Sequence, residues 1–474
     1  MQHGHVDHST VNGCDTSIAE QKVSVVIDDE CSVDLPSEVN YCETERFRRW
    51  RKHTRDLYQC CAFVETIWPT RCCQFMPFMM EKDNVGVQYI LCGTDTGDGS
   101  QNYVQILKLA LPLSGGRLAE FGQVDPDTGE IGGFGQADPR AGVSVDCRIF
   151  HSESVITARF MPANPNLIAT SSSNGFSYVF DWTQVARTKP PNDPPRPRAP
   201  YPPFELSDSF TAEQKTMFDQ RWRRIRETQT LQDKWDSQFG VEERKVTMTG
   251  ASDVTLSQDW TISGDGHVIG GSKGVVNDWA VAHLSREGSH PSIVPVRSYD
   301  ITDANCEAEI VNEVRCSWSH PELGFVATDT GLYSFDLRCS AVERRTSQGR
   351  PLSLGTSVLD PYAIAVGLQD NGTVLFYDSR NYAEPHSFTE QLFEGSVQTL
   401  CYNPLRRHHV VAGGSDGTAV IWDEVAHKLL FRHAGHPEAV RDVGWSWQDS
   451  FAGQVISCDA NAIEVWKPRD NFWE

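Results

Sequence analysis

The chain has 474 residues, with 42 basic against 64 acidic side chains and a formal charge of −22. That length accommodates one large domain with extensions. The acidic excess argues against direct contact with nucleic-acid phosphates and favours a basic protein partner. No run approaches the ~20 apolar residues of a membrane span, and the N-terminus lacks an apolar signal core. The 14 cysteines are scattered without zinc-type spacing, so reduced, mostly buried thiols are expected, and neither a metal nor a cofactor.

Ten acidic side chains and one lysine fall within the first 45 residues. A segment this polar cannot bury enough apolar surface to order itself, so residues 1–39 read as an acidic disordered tail. His3, His5 and His8 are taken as incidental there. Residues 40–62 read as a helix. Asn40 can cap it, Phe47, Trp50, Thr54, Leu57, Tyr58 and Cys61 share one face, and Pro69 stops it. Arg46, Arg48, Arg49, Arg51, Lys52 and Arg55 dominate the remaining surface.

Beyond the helix the chain is punctuated by aromatics at Phe180, Trp279, Phe335, Tyr377, Trp422 and Trp466, the last four separated by 42, 45 and 44 residues. A turn residue stands six positions before most of them, as in Asn174, Asp329, Asn371 and Asp416, and short apolar runs precede the turns. That period is the one of four-stranded propeller blades, roughly 40–45 residues each. Less regular units at 68–111 and 246–283 bring the count to seven. The expectation is an all-β, seven-bladed WD-repeat β-propeller over 63–467, followed by a short tail at 468–474, with an N-terminal α-helix and a long Pro-rich and helical insertion. Two spacings are too long, placing insertions at about 114–146 and 184–245; the second begins with eight prolines in the fourteen residues from Pro190 to Pro203 and continues with helical character at 211–238.

The strongest single unit runs from Leu429 to Trp466. His436, Ser457, Asp459 and Trp466 are placed to form one buried hydrogen-bonded chain inside a blade, since buried polar groups must be paired. No phosphate loop, nucleophile elbow or other catalytic constellation stands out, so an enzyme is not expected. The glycine-rich runs 264–267 and 413–417 sit at strand turns. Asp336-Leu337-Arg338 and Asp378-Ser379-Arg380 each follow a closing aromatic, a pattern used by propellers that dock on a cullin-ligase adaptor. Arg338 and Arg380 are therefore candidate adaptor contacts, with a local Asp–Arg pair as the structural alternative.

Trp50-x-Lys52-x-Thr54-x-x-Leu57-Tyr58, followed by Trp68-Pro69, resembles the N-terminal signature of the retinoblastoma-binding histone chaperones, the small WD-repeat subunits of chromatin assembly factor. Ile149 to Pro165 and Leu429 to His436 are similar to that family's second and last repeats. The resemblance covers about 40–182 and 390–467. It implies a non-catalytic nuclear scaffold, found also in the cytoplasm, that holds core histones for larger chromatin complexes, is monomeric within them and contacts neither nucleic acid nor membrane directly. It also implies two sites. A histone helix would lie in a groove near Asp56, Leu57, Phe431, Arg432, Asp423 and Glu424. A basic tail would meet the channel mouth near Glu153, Asp253, Glu313 and Glu438.

The sequence departs from the family at the groove. The long acidic loop before the last blade is missing, and Asp56 and Arg432 replace apolar floor positions. Burying an unpaired charge under a partner helix costs several kcal/mol, so weak or no binding of a histone helix is expected at this groove; the alternative is that Asp56 and Arg432 pair with each other or with residues of an altered partner. Two further readings stay open: a chaperone of a basic ribosomal protein, and a cullin-ligase substrate receptor.

Overall fold

The computed structural model describes residues 45–473, except 67, 98–100, 120–141, 185, 189–241, 253–254, 263–265, 283–289, 304, 340 and 347. The tail with its histidines, the proline run, the predicted helix at 211–238 and Asp253 thus lie outside the described residues. Among the described residues no helix is long and apolar enough to cross a membrane.

Strands dominate. Each closing aromatic sits on the third strand of a sheet, as Trp422 does in Ala419–Asp423 and Trp279 in Val275–Ala282. There it is buried: Phe180, Trp279, Phe335, Tyr377 and Trp466 are at most 1% exposed. The sheets are antiparallel meanders, in chain order around the ring. The second blade takes Val155–Met161, Asn164–Ser172 and Phe176–Asp181, with its outer strand Thr249–Ser252 arriving after the long insertion. Blades 3 to 6 span 257–300, 311–346, 351–388 and 397–433. The first strand of each blade packs on the first strands of its two neighbours, and this cycle of contacts closes into a ring around a central channel. Seven blades result, as the period predicted.

The first blade is enlarged. Its four strands, Thr70–Lys82, Val85–Thr94, Asn102–Ser114 and Gly142–His151, carry two more strands on their outer edge. These are Glu242–Lys245, parallel to the fourth strand, and Ala186–Thr188 beyond it. Both predicted insertion boundaries are therefore corrected. The first insertion ends before Gly142, and the ends of the second are strands that extend the blade and cover its edge.

The helix ends sooner than predicted. Its described part spans Glu45–Leu57 and stops there rather than at 62, since Tyr58–Glu65 is a strand; the predicted start at 40–44 lies outside the described residues. Tyr58, Cys60 and Ala62 are buried while Gln59 and Cys61 are half-buried, the period-2 alternation of a strand. The reason is tertiary. The last blade has three strands of its own, Asp442–Trp445, Val455–Cys458 and Ala462–Pro468, and its outer edge is filled by Tyr58–Glu65, antiparallel from Tyr58↔Pro468 to Glu65↔Ala462. Satisfying that edge outweighs continuing the helix.

Candidate functional site

Tyr58 is a central point of attachment between the helix and the propeller. Tyr58, fully buried at the start of the closing strand, accepts a hydrogen bond from the Trp50 indole N–H at 2.6 Å and donates to His433 Nδ1 at 2.8 Å. His433 ends the outer strand of blade 6, Lys428–His433. Its Nε2 lies 2.7 Å from the Glu464 carboxylate, and Glu464 in turn faces His436 Nδ1 at 3.7 Å. His436 meets Asp459 at 3.2 Å and Ser457 at 2.7 Å, and the Trp466 indole N–H donates to Ser457 at 3.0 Å. The blade-7 tetrad expected from sequence is thus one end of a longer buried chain. Burial lowers His433, leaving it neutral. Burial would lower His436 too, yet Glu464 and Asp459 hold it above the usual imidazole value. The chain joins helix, closing strand, blade 6 and blade 7, which makes it a lock on ring closure.

The helix crosses the edge of the last two blades from one end of the channel to the other. At its start, Arg46 donates to the Asp416 carbonyl at 2.6 Å, beside the turn between the second and third strands of blade 6; this end is called upper below. At its finish, Leu57 O accepts from Arg469 N–H, next to Phe472 and Trp473.

This geometry separates the predicted groove residues. Phe431 is buried between Tyr58, Trp466 and Phe472, so it belongs to the core. Arg432, one residue on, points to the opposite face and donates to Thr418 at 3.3 Å. Burial lowers it, while Asp416 and Glu394 raise it and Arg46 lowers it further. Asp56 is exposed at the other end of the helix. Ten helical residues between positions 46 and 56 span about 15 Å, so Asp56 and Arg432 do not pair; Arg432 is compensated by Asp416 instead. Asp423 and Glu424 lie at the lower end. Asp423 faces His409 at 3.5 Å, and the His409 ring lies tilted 5.7 Å from that of Trp473, which packs on the same core as Leu57. Glu424 points away from the helix, toward His386 at 3.1 Å and His408 at 3.7 Å. Burial pushes the Glu424 carboxyl up to about 7, with Asp360 and Asp423 adding to this against the bond from Tyr402.

The channel residues divide in the same way. Glu153 and Glu438 are exposed on connections at the upper end, where Glu438 accepts from Asn461 at 3.0 Å. Glu313 is not at the mouth. It lies on the first strand of blade 4, bonded to Arg315 and accepting the Leu354 N–H at 2.5 Å. The channel also holds a pair that the sequence did not announce: Arg159 of blade 2 and Asp442 of blade 7, 3.0 Å apart and 13% and 6% exposed. The Asp442 carboxylate also accepts the Cys73 N–H at 3.0 Å. This ties blades 7, 1 and 2 together at the seam of the ring.

On the lower end, Arg338 and Arg380 each fold back onto the preceding Asp. The guanidinium nitrogens reach Asp336 at 2.7 Å and Asp378 at 2.5 Å. Arg380 also lies 4.1 Å from the centre of the Tyr362 ring. Both side chains remain largely exposed, at 70% and 64%.

Seven closed blades and a helix clasped to the last of them define a WD-repeat β-propeller. A family model for the histone-binding protein RBBP4 and its counterpart in the CAF1 complex matches residues 45–113, which hold the helix, the closing strand and most of blade 1. The chain is 24% identical over 457 residues to the histone-binding protein MSI1 of Saccharomyces cerevisiae, covering 94% of this chain and 99% of that one. Over 157 residues it is 32% identical to the histone acetyltransferase type B subunit 2 of Mycosarcoma maydis, which covers 30% of this chain and 35% of that relative. The chain is thus similar to MSI1 along nearly its whole length and to the RBBP4-type family model over its N-terminal helix, closing strand and most of blade 1.

Proposed function

We propose that this protein is a non-catalytic, nuclear, histone-binding scaffold, a component of a chromatin assembly or modifying complex that presents histones to its partners. The observation that carries this reading is the N-terminal module. The helix and closing strand that the family model matches are locked onto the last blade through Trp50, Tyr58 and His433. The −22 charge supports a basic partner. The names of the two relatives, one a histone-binding protein and one a subunit of a histone acetyltransferase, favour this reading over a ribosomal-protein chaperone or a ligase receptor.

Within this reading, the channel mouth near Glu153 and Glu438 is the main histone contact. Both carboxylates are exposed there. The helix groove is the weaker site, because Arg432 places a half-buried cation beside Arg46 at its upper end. A partner helix with basic side chains would be repelled by these two cations. Calorimetry with purified core histones and with a histone-helix peptide tests both statements. Histones should bind, and Glu153→Gln with Glu438→Gln should weaken them at least tenfold; the peptide alone should bind weakly. Absence of histone binding would overturn the reading. Tight peptide binding that Leu57→Ala abolishes would restore the groove as the principal site.

A further inference from the structure

At the lower end of blades 5 and 6 lies a cavity of about 330 Å³ that neither the channel mouth nor the helix groove uses. Its walls come from separate connections. Asp360 lies in the turn between the first two strands of blade 5, and Asp378, Arg380 and His386 lie between the end of its third strand and its outer strand. Blade 6 adds His408 from the turn between its first two strands, and Glu424 and Val425 from the turn after its third. The outer strand of blade 5 is only Ser387–Phe388, too short to cover the cavity.

The lining is acidic. Three carboxylates, Asp360, Asp378 and Glu424, stand against one cation, Arg380. That cation is already taken: its guanidinium bonds Asp378 and lies over the Tyr362 ring. Among the described residues no lysine or arginine pairs with Asp360, which accepts the Tyr362 N–H at 3.1 Å, or with Glu424. Glu424 is the most buried of the three, with its side chain 5% exposed. Its neighbours are the Tyr402 hydroxyl at 3.3 Å, His386 at 3.1 Å and His408 at 3.7 Å. Burial lowers His386, against the pull of Asp378 and Asp360, so its ring brings no positive charge at neutral pH. Glu424 has thus given up water without gaining a countercharge. A cation from outside would supply one, with the desolvation of this carboxyl already met by folding. Beside the acids are apolar groups: Val425 lines the cavity and is 64% exposed, and Phe388, next after Ser387, is 65% exposed.

We propose that this cavity receives a lysine side chain of the basic protein partner, its ammonium set against Glu424 and Asp360 and neighbouring apolar groups of the partner set on Phe388 and Val425. The inference rests on the reading of a basic partner and adds a second contact, at the opposite end of the ring from Glu153 and Glu438. Charge complementarity fixes the sign of the ligand. Hydrogen bonding fixes lysine over arginine. One Glu424 oxygen already accepts from Tyr402, which disfavours the two parallel bonds of a guanidinium fork. An ammonium is a point charge with three donors that several acceptors can share. The exposed phenyl and valine fix a protein over a free amine, because a small amine leaves them in water.

The test is fluorescence polarisation of a dye-labelled, amidated Ser-Leu-Lys-Leu-Ser peptide titrated with the full-length chain. Saturable binding is expected. Acetylating the peptide's lysine should weaken it at least tenfold, as should Glu424→Gln, and Phe388→Ser should weaken it at least threefold. An equal concentration of free butylamine should leave the peptide bound; displacement would overturn the assignment to a protein side chain. No saturable binding, equal affinity for the acetylated peptide, or equal affinity in Glu424→Gln would overturn the site itself. Should the buried Glu424→Gln variant misfold by circular dichroism, Asp360→Asn decides, since Asp360 is only half-buried. Glu153→Gln with Glu438→Gln, at the other end, should leave peptide affinity unchanged, and a loss there equal to that in Glu424→Gln would move the peptide to the channel mouth. A chain that takes the peptide but no histone sinks the histone reading and leaves this site standing; the reverse sinks this site alone.

Discussion

Replacing Tyr58 by Phe removes a single oxygen from the centre of the helix lock. The ring keeps its packing, 5.0 Å from Phe431 and 6.5 Å from Trp466 between centroids, so little apolar burial is lost. What goes is the acceptor for the Trp50 indole at 2.6 Å and the donor to His433 at 2.8 Å. A buried hydrogen bond contributes about 1 kcal/mol net, and a partner deprived of it inside the protein loses about 1–3 kcal/mol. Two such partners put the expected destabilisation at about 2–6 kcal/mol. The loss should be local before it is global, because the blades keep their own strand pairing. Urea unfolding gives the total, and amide hydrogen exchange over 45–57 gives the local part, with faster exchange expected there than in 442–468. Trp50→Phe made alone and together with Tyr58→Phe closes a double-mutant cycle, with a coupling of about 1 kcal/mol expected. A destabilisation below about 0.5 kcal/mol with unchanged exchange in the helix would refute the idea that this hydroxyl clasps it.

His151, bonded to Thr170 at 3.0 Å and pushed by burial down to about 4 from 6.5, is neutral in the fold. The unfolded chain binds the extra proton first as pH falls, so stability is full above pH 6.5 and falls by about 3 kcal/mol on going to pH 4; a His151→Gln protein should show a flatter stability–pH curve between those limits, and an equal slope would count against it. Asp442→Ala should cost about 3–5 kcal/mol by leaving Arg159 charged inside the channel, whereas changing both residues to neutral ones should cost less; equal costs in urea unfolding would show that the pair is not coupled. Arg380→Ala should change stability by less than about 1 kcal/mol, because the pair with Asp378 is exposed; a larger loss would mean that the arginine braces the lower face. Deleting residues 1–39 should slow histone association more than it speeds dissociation, since a charged segment outside the interface acts by steering; stopped-flow rates unchanged by the deletion would exclude that role.

The blades were legible because their signals are local and repeated. An aromatic, a turn residue six positions earlier and an apolar run recur within about forty residues, and the tetrad from His436 to Trp466 lies within one such unit. The closing strand was not legible as a strand. Thr54, Leu57, Tyr58 and Cys61 fit a helical face as well as an alternating one, and the deciding contact, Tyr58↔Pro468, lies at the far end of the chain. The groove was misjudged for a related reason. Neighbours in sequence, Phe431 and Arg432, face opposite sides of a strand, and Asp423 and Glu424 diverge the same way. Arg46, not Asp56, is the helix residue beside Arg432, and a charge pattern alone could not place it there.

The pairing of Tyr58–Glu65 with Ala462–Pro468 also sets a clock on biogenesis. During synthesis at ~5–20 residues per second, roughly 20–80 s pass between the appearance of this strand and of its partner. Throughout that interval Cys60, Ala62 and the rest of a β-prone segment have no edge to pair with. Closing a loop of about four hundred residues then costs on the order of 5 kcal/mol in chain entropy before the first ladder bond returns anything. A nascent chain in this state is an open, sticky arc rather than a ring. Helper proteins that shield the waiting strand, and tags or fusions placed just ahead of residue 45, should therefore govern the yield of folded protein far more than changes of equal size on the outer faces of the blades.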